Sequence, residues 1–164
     1  MKKAVIMIFC LAFLLSMANS GDFKYVGVKK CKMCHKGERK GSVYETWMSK
    51  AHAKAFESIK KKGEEKNPKC LECHTTAFNQ GGYKLDDPKA SNFEGVQCES
   101  CHGPGSVYKR TSIMKNREKA LQSGMIEINE KTCTVCHDGT KCEHAKGFDY
   151  QKALKAIDHT YTKK

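Results

Sequence analysis

The residues able to do chemistry fall into one five-residue word, Cys-x-x-Cys-His, which occurs four times. It stands at Cys31-Lys32-Met33-Cys34-His35, Cys70-Leu71-Glu72-Cys73-His74, Cys98-Glu99-Ser100-Cys101-His102 and Cys133-Thr134-Val135-Cys136-His137. Two thiols three positions apart reach the two vinyl groups of one porphyrin, and the next histidine falls beneath the iron as its proximal ligand. This is the attachment signature of c-type haem. Zinc is the competing use of paired Cys-x-x-Cys, but it takes four ligands and needs no histidine at a fixed place. With 7 histidines in 164 residues, four so placed by chance is a coincidence of roughly 3 in a million. The words therefore predict four covalently bound haem c groups. Cys31, Cys34, Cys70, Cys73, Cys98, Cys101, Cys133 and Cys136 would attach them, and His35, His74, His102 and His137 would hold the irons.

The second axial side of each iron decides what it can do. A second strong ligand makes a six-coordinate electron carrier, whereas an empty side admits a small molecule. Three histidines lie outside the words: His52, His144 and His159. His52 stands between Ala51 and Ala53, small residues that let a porphyrin come close, and reads as a ligand rather than a surface helix histidine. His159 follows the last expected helix and can swing onto a haem. His144, in the polar stretch Cys142-Glu143-His144, is balanced between a ligand and a solvated loop residue. Met114, twelve residues after His102, is evenly placed between a thioether ligand and a core filler. As a ligand it would raise the potential of its haem relative to bis-histidine ligation. Met125 is the weaker thioether candidate, and Met33 and Met48 are expected to pack against porphyrin or helix. Cys142 is a thiol left over by the words, read as a silent structural cysteine. No other catalytic constellation is present: there is no serine-histidine-acid pattern and no phosphate-binding glycine loop.

Residues 1–20 read as a cleaved secretory signal. Lys2 and Lys3 form its basic start, Ala4 to Leu15 its apolar run and Ala18-Asn19-Ser20 its small-residue exit. The run is short for a membrane span, with an uncleaved anchor as the alternative. Covalent c-type haem attachment takes place outside the cytoplasm, so both features predict a periplasmic or otherwise exported protein. Residues 21–164 then form a single tetrahaem domain. The formal charge of +12 falls to +10 without Lys2 and Lys3. One ferric centre and two propionates per haem bring the holoprotein to about +6. Export and haem argue against nucleic acid as the partner of this basic chain. Its lysines serve solubility, neutralise propionates and steer the protein towards acidic redox partners.

The elements that must position these ligands have little apolar material to work with. After residue 20, leucine, isoleucine, valine and phenylalanine number 20 of 144 residues, about 14%, below the roughly 20% that marks chains unable to fold alone. The apoprotein is expected to be largely unfolded, with four porphyrins supplying the missing core. The expected fold is mainly α with little β, short helices and loops wrapped around four covalent haems. One helix is expected from an N-cap at Ser42 through Val43, Trp47, Ala51, Ala55, Phe56 and Ile59 to Gly63. Residues 75–97 read as a loop with a short hairpin. A second helix is expected over 106–122, closed by Gly124, and a last one behind an Asp149 cap, with Ala153, Leu154 and Ile157 on one face. The words start 39, 28 and 35 residues apart, a recurrence without a solenoid period.

Several longer stretches carry a family resemblance. They are Trp47-x-Ser49-x-x-His52-Ala53-x-Ala55, Cys73-His74-Thr75-Thr76, Gly95-Val96-Gln97-Cys98-Glu99-x-Cys101-His102-Gly103-Pro104-Gly105-Ser106, and Gly147-Phe148-Asp149-Tyr150 ahead of His159. In these the chain resembles the tetrahaem cytochrome c-554 family, which includes the electron acceptor of hydroxylamine oxidoreductase. The resemblance implies a mostly helical fold, closely packed haem pairs and periplasmic electron transfer. It implies His52 as distal ligand of the third haem, on His102, and His159 as that of the fourth, on His137. It implies an open or weakly ligated second haem, on His74, where Thr75 and Thr76 could offer hydroxyls. It also implies a distal histidine for the first haem between the second and third words. This chain has neither histidine nor methionine from Thr75 to Gln97, which leaves Met114 or His144 as a substitute, or two open haems. The leading functional reading is electron transfer between redox proteins. The alternatives are an enzyme that binds or reduces a nitrogen oxide at the open haem, and a subunit of an extracellular cytochrome assembly in which His144 ligates a neighbour's haem.

Overall fold

Each attachment word sits on or beside a short helix, because a helical turn brings positions i, i+3 and i+4 to one face. In the computed structural model, which describes residues 22–141 and 146–159, the first word ends α1 (Val28–His35). The second ends α4 (Pro68–His74) and the third makes up α5 (Cys98–His102). The fourth begins in α8 (Glu130–Thr134) and is completed by a further turn, where His137 N–H donates to the Cys133 carbonyl at 2.9 Å. The expected signal segment, Cys142 and His144 lie outside the described residues.

Local chemistry fixes where these helices start. Asn67 accepts from Lys69 N–H ahead of Pro68 at the first helical position of α4. Asn129 closes a capping box with Thr132 at the start of α8. The last helix, α9 (Tyr150–Ile157), begins where expected, with the Asp149 side chain accepting from Lys152 N–H at 3.0 Å.

The long helix expected from Ser42 is broken. α2 (Val43–Ser49) stops at Lys50, whose backbone is extended, a 3-10 turn covers Ala51–Lys54, and α3 (Ala55–Lys60) follows it. Ser42 has a left-handed backbone and makes no capping bond. The break has a partner in space: the His52 carbonyl accepts from Val96 N–H at 3.0 Å, and Trp47 Nε1–H donates to the Val96 carbonyl at 3.0 Å. A tertiary ladder to the segment before the third word thus replaces the intrahelical bonds. Gly95 allows this approach, since a Cβ there would meet the Ala53 carbonyl oxygen at 3.0 Å. The helix expected over 106–122 is likewise two pieces, α6 (Thr111–Met114) and α7 (Arg117–Leu121). Asn116 ends the first by capping the second, accepting from Lys119 N–H at 2.9 Å.

Residues 75–97 form a folded loop with a 3-10 turn at Ala90–Phe93. A single antiparallel bridge, Thr75 to Glu94, is the only β pairing among the described residues, so the chain is helical without strands, as expected. Its apolar core is small. Phe56, Ile59, Leu71 and Tyr83 make one cluster, and Trp47, Tyr108 and Ala120 are the other buried hydrophobic residues described. Seven such side chains cannot close a domain of this length, which fits a fold completed by its prosthetic groups. Met33 and Met48 stand 78% and 44% exposed to the surroundings of the polypeptide.

Candidate haem sites

Two histidines of the words, His137 and His102, each meet one of the two described histidines outside them. The rings of His52 and His137 face each other with centres 6.0 Å apart and planes at 48°. Those of His102 and His159 stand 6.1 Å apart at 86°. One metal ion bound to a nitrogen of each ring, at ~2.0 Å per bond and ~1.1 Å from nitrogen to ring centre, requires about 6.2 Å between centres. Both separations match that expected for two rings sharing one iron. The pairing is the exchange of that implied by the resemblance: His52 faces the fourth word rather than the third, and His159 the third rather than the fourth.

Surrounding contacts hold the rings in place. The ladder to Val96 holds the His52 backbone, and Phe148 stacks on His137 at 4.8 Å and 15°, fixing that ring. His159 lies just past the end of α9, where its Nδ1–H donates to the Ile157 carbonyl at 2.8 Å. That bond leaves Nε2 free to bind a metal. His74 is oriented in the same manner: its Nδ1–H donates to the Ala55 carbonyl at 2.7 Å. No other histidine ring faces His74 among the described residues.

Burial disfavours the protonated form of four of these histidines. Burial lowers the pKa of His52, His137, His35 and His102. Neighbouring histidines push three of them further: His137 acts on His52, and His159 acts on His35 and His102. Neutral imidazole is the form that binds iron.

The thiols show how the words lie next to one another. Cys31 and Cys98 are hydrogen-bonded, which raises the first and lowers the second. Cys73 and Cys136 make a similar pair, with Cys73 lowered to about 7 and Cys136 raised. Cys101 is raised to about 11, first by burial and then by nearby Cys133. The spatial order of the words is therefore first, third, fourth, second. Among the described residues no three histidine, cysteine or acidic side chains converge as a metal-ion cluster needs.

The first and third words share a large hollow. A cavity of about 910 Å³ is lined by Cys31, Cys34, His35, His102, Met114 and His159, and an adjoining one of about 220 Å³ is lined by Cys98 and Cys101 together with His35, His102 and Met114. Lys30, Arg39, Lys40, Lys109, Lys115 and Lys155 surround the larger one.

Two positioning residues escaped sequence reasoning. Glu99, 1% exposed, accepts from Val26 N–H at 3.0 Å to both oxygens, from Gly27 N–H at 2.7 Å and from Gly105 N–H at 2.6 Å. It thereby ties the lead-in of the first word to the third. Gln97 accepts from Val28 N–H at 2.7 Å and donates to the carbonyls of Asn92 and Glu94. Their only sequence signal was their place inside the third-word stretch of the resemblance. Thr75 and Thr76 are buried and already committed, their hydroxyls donating to the Leu71 and Gly95 carbonyls at 2.6 and 2.8 Å. Thr75 thereby caps α4 locally, and Thr76 ties the second word to the segment before the third.

Short helices, paired histidine rings and Cys-x-x-Cys-His words define a small helical c-type cytochrome. Comparison with known proteins agrees. The family described as Cytochrome c554 and c-prime matches residues 30–103. Cytochrome c-554 of Nitrosomonas europaea is 31% identical over 173 aligned residues, covering 87% of this chain and 71% of that protein. The structure of the reduced state of cytochrome c554 from Nitrosomonas europaea superposes with a TM-score of 0.66 at 25% identity, covering 86% of each chain. The chain belongs to the cytochrome c-554 family, and is a haem-binding electron carrier. No helix among the described residues is long and apolar enough to cross a membrane.

Proposed function

We propose that the protein carries four covalent haems, one per word, and moves electrons between redox partners outside the cytoplasm. The observation that carries this reading is the pair of histidine couples at 6.0 and 6.1 Å, each matched to one iron. His52 with His137 would hold the fourth haem iron, and His102 with His159 the third. When bound, haem supplies one-electron chemistry at iron, with potentials tuned by axial ligand, burial and charge. The chain's own residues hold and orient. Phe148 fixes the plane of His137, the Ile157 and Ala55 carbonyls fix the tautomers of His159 and His74, and the thiol contacts set the four sites in the order first, third, fourth, second. Export follows from the signal-like residues 1–20 and from the site of haem attachment. The basic residues around the larger cavity suit haem propionates and an acidic docking partner.

A second reading concerns His74. No described histidine ring faces it, so a second haem held there would be open to a small molecule such as nitric oxide, and an enzyme acting there is the alternative function. An extracellular assembly is the third reading, and size-exclusion chromatography separates it from a monomer. EPR and optical spectra of the oxidised holoprotein, before and after carbon monoxide or nitric oxide in suitable redox states, test the site assignment. We expect at least two low-spin bis-histidine haems and a ligand-binding haem at His74. Four inert low-spin haems would remove the enzyme reading and require a sixth ligand for His74.

A further inference from the structure

Among the described residues no histidine ring pairs with His35, although it lines the 910 Å³ cavity. The side chains lining that cavity narrow what can face its iron. His102 and His159 are taken by each other. Tyr108 donates its hydroxyl to the Gly103 carbonyl at 2.7 Å, and Asp158 is an exposed oxygen ligand with little affinity for low-spin haem iron. The amino and guanidino groups of the surrounding lysines and Arg39 are hard donors that suit carboxylates and haem propionates rather than a low-spin haem iron. One uncharged soft donor remains. Met114 ends the short helix α6, is half-buried, and lines both the 910 Å³ cavity with Cys31, Cys34 and His35 and the adjoining 220 Å³ cavity. Met125 reaches only the smaller one.

From this we infer that the Met114 thioether is the sixth ligand of the first haem iron, opposite His35, which makes this the His/Met site of the chain. The inference rests on the tetrahaem reading above. The backbone that carries the thioether is fixed on both sides. Met114 N–H donates to the Arg110 carbonyl at 2.8 Å, and Asn116 caps the next helix directly behind it. Histidine–methionine ligation raises the potential of a haem relative to bis-histidine ligation. The first haem, at one end of the row and beneath the basic rim, is then the high-potential end, where an acidic acceptor would collect electrons.

The test uses the full-length holoprotein with Met114→Ala and Met114→His. Intact mass first establishes four haems per chain in each variant, so that failure of the tetrahaem reading is seen separately. Wild type should show the near-infrared charge-transfer band of a sulfur–ferric-haem bond. Met114→Ala should lose it and gain one high-spin, carbon-monoxide-binding haem. Met114→His should also lose the band but stay low-spin at that haem, with the highest of the four potentials lowered and the other three unmoved. No sulfur band in wild type, or a band and potentials unchanged in both variants, overturns the assignment and places the ligand elsewhere, at His144 for example. If the alanine variant does not fold, the histidine variant alone decides.

Discussion

Glu99→Gln is the substitution whose cost follows most directly from the structure. The carboxylate is buried and receives three backbone N–H groups, from Val26, Gly27 and Gly105, over 2.6 to 3.0 Å. Glutamine has the same shape but only one accepting oxygen. If that oxygen keeps the bonds from Val26 and Gly105, the new amide group points its hydrogens at Gly27 N–H, donor against donor. A charge-assisted hydrogen bond of ~1.5–3 kcal/mol is lost and a buried N–H is left unpaired, for a total of about 2–5 kcal/mol. At about 3 °C per kcal/mol for a chain of this size, the thermal midpoint should fall by roughly 6–15 °C. Thermal and guanidinium unfolding of the oxidised holoprotein, followed at the Soret band and by far-UV circular dichroism, would measure it. Val26 and Gly105 line the larger cavity, so the first haem's spectrum should respond before the others. A loss below about 1 kcal/mol would refute the claim that this carboxylate fastens the first word to the third.

Replacing His159 or His52 by alanine should convert one haem each from low to high spin, the third and the fourth respectively, read by EPR and by mass-verified haem content. The opposite assignment would restore the pairing implied by family resemblance. Gly103→Ala puts a side chain at a φ of +81° with its Cβ against the Gly124 carbonyl oxygen; it should cost about 1–3 kcal/mol and disturb the His102 site first, as a melt followed at the Soret band would show. Expressed without haem attachment, the polypeptide should show little helical circular dichroism, and a cooperative melt in that state would contradict the small-core argument. Electron transfer to an acidic partner should slow as salt is raised, because exposed charges are screened beyond about 10 Å at 0.1 M; a rate indifferent to salt would remove the basic rim from docking.

What the sequence revealed depended on how local the determinant was. The words, the Asp149 cap and the scarcity of apolar residues are readable within a few positions, and these predicted the helical, thin-cored chain that the structure shows. The breaks at Lys50 and Asn116 were not readable, because they arise where a bond to a distant segment or a side-chain cap outcompetes helix continuation. His52 shows the consequence. Its nomination needed only its alanine neighbours, but its partner, His137, is set by how distant segments pack. Glu99 and Gln97 sat in plain view inside the third word's stretch. Nothing in one dimension says that the amide groups they satisfy come from residues 26–28.

Protein-film voltammetry of the purified holoprotein bears most closely on the assignment of a four-haem carrier. Four one-electron couples per chain are expected, one set apart at higher potential, with no catalytic current when nitric oxide is added. Fewer than four electrons per chain would contradict the tetrahaem assignment, and a sustained catalytic wave would make the protein an enzyme rather than a carrier.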